Sequence, residues 1–156
     1  MRLSLKLGTA LVILTFATSA FATNIYFNYS GSGFTGSGVF TATDQGGGTY
    51  LVTGVNGQQN TIPFTGVEPL GANGGYTYDN LLFLNSTPQL DLSGILLSWN
   101  GGDVNLGFNG GHYVQWNPTE YVLDFSASAT PEPSTLITLG TGLLGLAGLA
   151  RKRLFS

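Results

Sequence analysis

Two kinds of hydrophobic pattern alternate along this chain of 156 residues. Residues 7–16 and 134–150 are continuous apolar runs near the two ends. Between them lie short alternating segments rich in β-branched and aromatic residues, punctuated by glycine and asparagine. Such segments predict strands at 39–43, 49–53, 95–99 and 121–125. In the last of these, Thr119, Tyr121, Leu123 and Phe125 share one face, and Glu120, Val122, Asp124 and Ser126 share the more polar one. That is the signature of a half-buried antiparallel strand. Residues 44–48, Asn56-Gly57, Gly101-Gly102 and Gly110-Gly111 read as hairpin turns, Asn56-Gly57 being a type I′ signal. Residues 64–78, with Pro69 and several glycines, predict a long surface loop. Eight or so strands at roughly ten-residue spacing, with no crossover helix, predict an all-β domain: an antiparallel, jelly-roll-like β-sandwich, with a small barrel as the alternative.

The apolar runs belong to the ends rather than to that domain. Arg2 and Lys6 precede the run at 7–16, and Ala20 and Ala22 place small residues at the −3 and −1 positions of a cleavage site, so residues 1–22 read as a secretory signal peptide. The run at 134–150 would form a helix of about 25 Å, at the short limit for a transmembrane helix in a hydrocarbon layer of about 30 Å. Arg151, Lys152 and Arg153 follow it as a stop-transfer cluster that stays on the cytoplasmic side. Residues 23–128 are then the exported domain, and 129–156 a sorting segment that holds a precursor in the inner membrane. Gly140, Gly142 and Gly145 mimic the spacing of a dinucleotide loop, but no βαβ unit surrounds them. Small residues in such a run favour close helix packing instead.

Charge narrows the function. All five lysines and arginines lie in the terminal segments, whereas seven of the eight acids lie within residues 23–130. A cation-free acidic domain excludes nucleic acid as a partner, because phosphate binding needs clustered cations. The chain has no cysteine, which excludes disulfides, thiol chemistry and Cys-based zinc sites. The single histidine, His112, flanks a Gly-Gly turn and reads as an exposed turn residue, so no catalytic residue is assigned and the chain is read as a non-enzyme. Paired acids drawn from Asp79, Asp91, Asp103, Glu120 and Asp124 would be needed for glycoside hydrolysis, and spacing alone joins no two of them.

No cofactor is assigned, although Asp91 and Asp103 are calcium candidates in an acidic exported domain. Aromatic residues carry the most specific alternative. Tyr76, Tyr78 and Trp116 flank turns and are candidate sugar contacts, whereas Trp99 and Tyr121 lie in apolar runs and are expected in the core.

Pro131-Glu132-Pro133 followed by Ser134-Thr135, the Gly- and Leu-rich run, and Arg151-Lys152-Arg153 together resemble the PEP-CTERM sorting signal of Gram-negative bacteria. The resemblance implies that an exosortase-type enzyme recognises the chain as its substrate and cuts near Pro131, Glu132 and Pro133. It also implies delivery from the periplasm to the cell surface or the extracellular matrix, with an association with exopolysaccharide or biofilm. Three inner segments are similar to short exported proteins of this kind: Tyr78-Asp79-Asn80-Leu81-Leu82, Leu90-Asp91 with Ser93-Gly94, and Gly102-Asp103-Val104-Asn105-Leu106. The expectation is therefore an exported surface or matrix protein. The alternative is a carbohydrate-binding module for the cell's own exopolysaccharide, with a glycoside hydrolase behind both.

Overall fold

In the computed structural model the described residues are 22–100, 102–130 and 141–142. Nine strands run through them: β1 (Ala22–Gly31), β2 (Phe34–Gly46), β3 (Thr49–Gln59), β4 (Ile62–Val67), β5 (Leu81–Phe83), β6 (Ile95–Trp99), β7 (Gly102–Asn109), β8 (His112–Trp116) and β9 (Glu120–Ala129). Ala22 is the first residue of β1. The rest of the signal segment with Ala20, the motif Pro131, Glu132 and Pro133, the apolar run apart from Thr141 and Gly142, and Arg151, Lys152 and Arg153 lie outside the described residues.

Neighbouring strands are all antiparallel, in the order β2-β1-β9-β8-β7-β6-β4-β3, and β3 pairs back onto β2. The ring closes into an eight-stranded barrel, with β5 added beside the first residues of β3. This corrects the jelly-roll-like sandwich. With β1 bonded to β9 from Ile25 to Gly31, and β2 bonded to β3 along most of its length, no free edge remains to divide the strands into two sheets. One core cluster fills the interior, drawn from all the barrel strands except β8, whose Tyr113 packs against it.

Strict alternation explains the long strands. In β1, Ile25, Phe27 and Tyr29 are buried while Asn24, Tyr26, Asn28 and Ser30 are exposed, and β9 repeats this with Leu123, Phe125 and Ala127 inward. The predicted strands at 39–43, 49–53 and 121–125 lie within β2, β3 and β9, and 95–99 is β6. Tyr121, expected in the core, is 44% exposed, and its ring meets Phe34 in a T-shaped contact. Trp99 is half-buried and packs against the core.

Large rings fill the space that glycines leave on facing strands. Tyr29 stands opposite Gly36 and Phe27 opposite Gly38, so each ring covers a bare backbone. The Phe27 ring then stacks on Phe40 at a centroid distance of 3.9 Å.

Asn56-Gly57 is not a turn. It lies inside β3 opposite Val39 and Gly38, where a Cβ on Gly57 would strike the Ser37 carbonyl oxygen. Here glycine serves close approach of two backbones. The turn comes at Asn60, whose φ of 53° is left-handed and whose Oδ1 accepts the Thr35 amide at 2.9 Å. Two other predicted turns stand: residues 44–48 span the β2–β3 connection, with Gly46, Gly47 and Gly48 at positive φ, and Gly110-Gly111 joins β7 to β8; of Gly101-Gly102, Gly101 lies outside the described residues and Gly102 is the first residue of β7. The loop predicted at 64–78 begins later, because β4 holds residues up to Val67.

Candidate functional site

Strands β6, β7 and β8 are unusual in being buried on both faces. Ile95, Leu97, Val104 and Leu106 point into the barrel, yet Leu96, Asn105 and Val114 on the opposite face are also buried. The cover comes from the β4–β5 connection (68–80) and the β5–β6 connection (84–94), which cross the outside of the barrel there.

Each crossing is held by polar side chains acting on backbone. Asn80, 3% exposed, accepts the Leu96 amide through Oδ1 at 3.0 Å and donates through Nδ2 to the Glu68 carbonyl at 2.8 Å. Its own amide donates to the Gly94 carbonyl at 2.9 Å. The Tyr78 hydroxyl accepts the amides of Ala72 and Asn73, both at 3.1 Å, and donates to the Pro69 carbonyl at 2.6 Å. Asn73 Nδ2 donates to Asp103 Oδ2 at 2.6 Å, and the Tyr76 hydroxyl donates to the Asp103 carbonyl at 3.3 Å.

Asn105 ties the two connections together. Its Nδ2 donates to the Thr77 carbonyl at 3.0 Å and to the Ser93 carbonyl at 2.9 Å. Those carbonyls belong to different loops, so one buried amide on β7 sets the gap between them.

Into that gap opens a pocket of about 430 Å³. Its walls are Gly75, Tyr76 and Thr77 from the first loop, Leu92 and Ser93 from the second, and Asn105, Trp116 and Pro118 from the barrel. Trp116 is the register partner of Asn105. Its indole lies against β7 because Gly107 has no side chain: Trp116 Cζ3 is 2.9 Å from the place a Cβ would occupy. The same bare glycine lets the Asp91 carbonyl approach to 3.0 Å of that place. The pocket therefore carries two aromatic side chains, Tyr76 and Trp116, beside the hydroxyls of Thr77 and Ser93, and is free of charged side chains.

Of the three candidate sugar contacts, Tyr76 and Trp116 are brought together in this pocket, whereas the Tyr78 hydroxyl is committed to pinning its own loop. The calcium candidates have other commitments. Asp91 Oδ1 accepts the amides of Ser93 and Gly94, both at 2.9 Å, and the Asp103 carboxylate is engaged by Asn73. Among the described residues, no group of three or more His, Cys, Asp or Glu side chains could hold a metal ion.

The Asp79 carboxyl shares a hydrogen bond with Asp91. Burial raises the Asp79 carboxyl above its ordinary range; the Leu81 amide that it accepts at 2.9 Å works the other way, and the charge of Asp91 and a hydrogen bond to it add to the rise. His112 is exposed beside its turn, and Glu120 accepts Asn109 Nδ2 at 2.9 Å.

Gly107 drew no attention in the sequence, and Asn80, Ser93 and Asn105 entered there only as members of segments similar to other exported proteins. An asparagine at an outward strand position is unremarkable until a loop covers it. The three inner segments singled out above, 78–82, 90–94 and 102–106, do meet at this face.

At the far end of β9 the chain passes directly into its last segment. Ala129 pairs with Ile25, and the Thr130 amide and hydroxyl both donate to the Asn24 carbonyl, at 3.1 and 3.2 Å. Residues 129–153 match the family model of the PEP-CTERM protein-sorting motif. The chain carries a PEP-CTERM sorting motif. A PEP-CTERM protein is an exported substrate of exosortase sorting, so the barrel is the passenger of that route. The match starts on the last residue of β9, which pairs with Ile25 of the first strand. In comparisons with curated proteins and with solved structures, nothing matches the chain.

Proposed function

We propose that this PEP-CTERM protein is a carbohydrate-binding component of the cell surface or extracellular matrix, carried there by its sorting tail and attached through its barrel to the cell's own exopolysaccharide. One observation supports the reading above the rest. An outward-facing tryptophan and a tyrosine share an uncharged pocket with two hydroxyl side chains, held open by a buried asparagine. Sugar rings present apolar C–H faces that pack on aromatic rings, and hydroxyls that pair with neutral donors and acceptors. The pocket also falls within the size range of small-ligand sites, about 300–1,000 Å³.

No catalytic step is assigned. The Asp79–Asp91 pair is bound up with backbone amides and lies outside the pocket lining, and His112 is at a turn.

Affinity electrophoresis of the full chain, in gels containing exopolysaccharide from the producing cells, tests the proposal. The native chain is retarded. Trp116→Ala weakens retention about tenfold, the scale of one lost anchoring aromatic, and Tyr76→Ala weakens it less. A native chain that migrates as it does in a plain gel rules the reading out.

A further inference from the structure

We infer that the pocket takes an uncharged sugar residue of a polysaccharide and turns away uronate-bearing and sulfated polymers. This rests on the carbohydrate reading of the same pocket and adds the class of sugar.

Three observations carry it. Every side chain lining the pocket is neutral. Residues 22–130 contain no lysine or arginine anywhere, so no cation elsewhere on the barrel can reach a bound anion. The charges in the segments around the pocket are negative: Asp91 precedes the rim residue Leu92, and the Asp103 carboxylate holds Asn73 of the loop that carries Tyr76.

A carboxylate or sulfate placed on this face would lose water without gaining a partner, and would meet like charge besides. A neutral sugar loses nothing of the kind. It needs the aromatic faces of Tyr76 and Trp116 and the hydroxyls of Thr77 and Ser93, all of which are present. The same arrangement makes binding nearly independent of salt, since no ion pair is formed.

The test is affinity electrophoresis of the full chain in a polyoxyethylene detergent, which adds no competing sugar. Gels carry a neutral glucan, mannan or galactan in one set and alginate or polygalacturonate in the other. Retardation by at least one neutral polymer and by neither acidic one is the expected result, with neutral retention changing less than about twofold between low and high salt. Equal retention on alginate overturns the inference while leaving sugar binding intact. No retention on any polymer overturns the carbohydrate reading itself.

A second variant separates charge from shape. Leu92 is 63% exposed at the rim, so Leu92→Lys leaves the core untouched. It should create salt-sensitive retention on alginate. A Leu92→Lys chain that ignores alginate as the native chain does would show that charge is not what excludes acidic polymers.

Discussion

The wall made by β1, β2 and β9 and the wall made by β6, β7 and β8 use the same alternating strands, yet they have opposite outsides. On the first, outward Tyr26 and Val122 are 56% and 59% exposed. On the second, outward Leu96 and Val114 are 0% and 1% exposed, because two loops lie over them. The first wall draws its order from inside, through rings packed over glycines. The second draws order from both sides, and the layer added outside is where a pocket forms. A barrel wall becomes a site where loops are fastened to it by polar side chains, and Asn80 and Asn105 are those fasteners.

The comparison breaks most sharply at Gly57. Gly57→Ala forces the Ser37 carbonyl and Gly38 away from β3 and should cost about 3 kcal/mol in denaturant unfolding. Gly66→Ala meets nothing within 4 Å and should stay within about 0.5 kcal/mol of native. Equal effects at the two glycines would mean that the β2–β3 wall does not depend on close backbone approach.

Asn105→Ala acts on the other wall. It leaves the Thr77 and Ser93 carbonyls without their shared donor, for a loss of about 2 kcal/mol. Amide exchange should quicken in 68–80 and 84–94 while β1, β2 and β9 keep their protection. Uniform loss of protection around the barrel would refute the separation of the two walls.

The smallest effect is expected at Asp79 and depends on pH. Because its folded carboxyl titrates above the ordinary value of 3.8, the folded chain holds this proton more tightly than the unfolded chain does. Its contribution to stability is therefore full below 3.8 and fades as pH rises through the raised folded value. Asp79→Asn keeps an oxygen for the Leu81 amide and removes the charge beside Asp91. Its melting temperature should exceed the native one by a few degrees near neutrality, and the gain should vanish in acid below 3.8. A gain that persists in acid would assign the effect to packing rather than to the buried charge.

Much of this was legible without coordinates, for local reasons. Alternation of Ile25, Phe27 and Tyr29, or of Leu123, Phe125 and Ala127, depends only on the two-residue period of a strand. The sorting motif is likewise a linear signal, read in order along 129–153. Asn56-Gly57 misled because the glycine that a tight turn needs is also the glycine that lets two strands touch, and only the partner strand distinguishes them. Tyr121 misled in the opposite sense: its register faces inward, but it stands at the start of β9, where it stays 44% exposed.

By itself, then, the amino-acid order determined the strand-built passenger, its acidic and cation-free character, and the sorting segment that follows it, since each is a property of neighbours along the chain. Tertiary structure decided that the strands close into a ring, that loops 68–80 and 84–94 lie over β6, β7 and β8, and that Tyr76 and Trp116 share one pocket. Closure and loop placement depend on which edges find each other across many intervening residues. A buried Asn105 gains its partners only after that has happened.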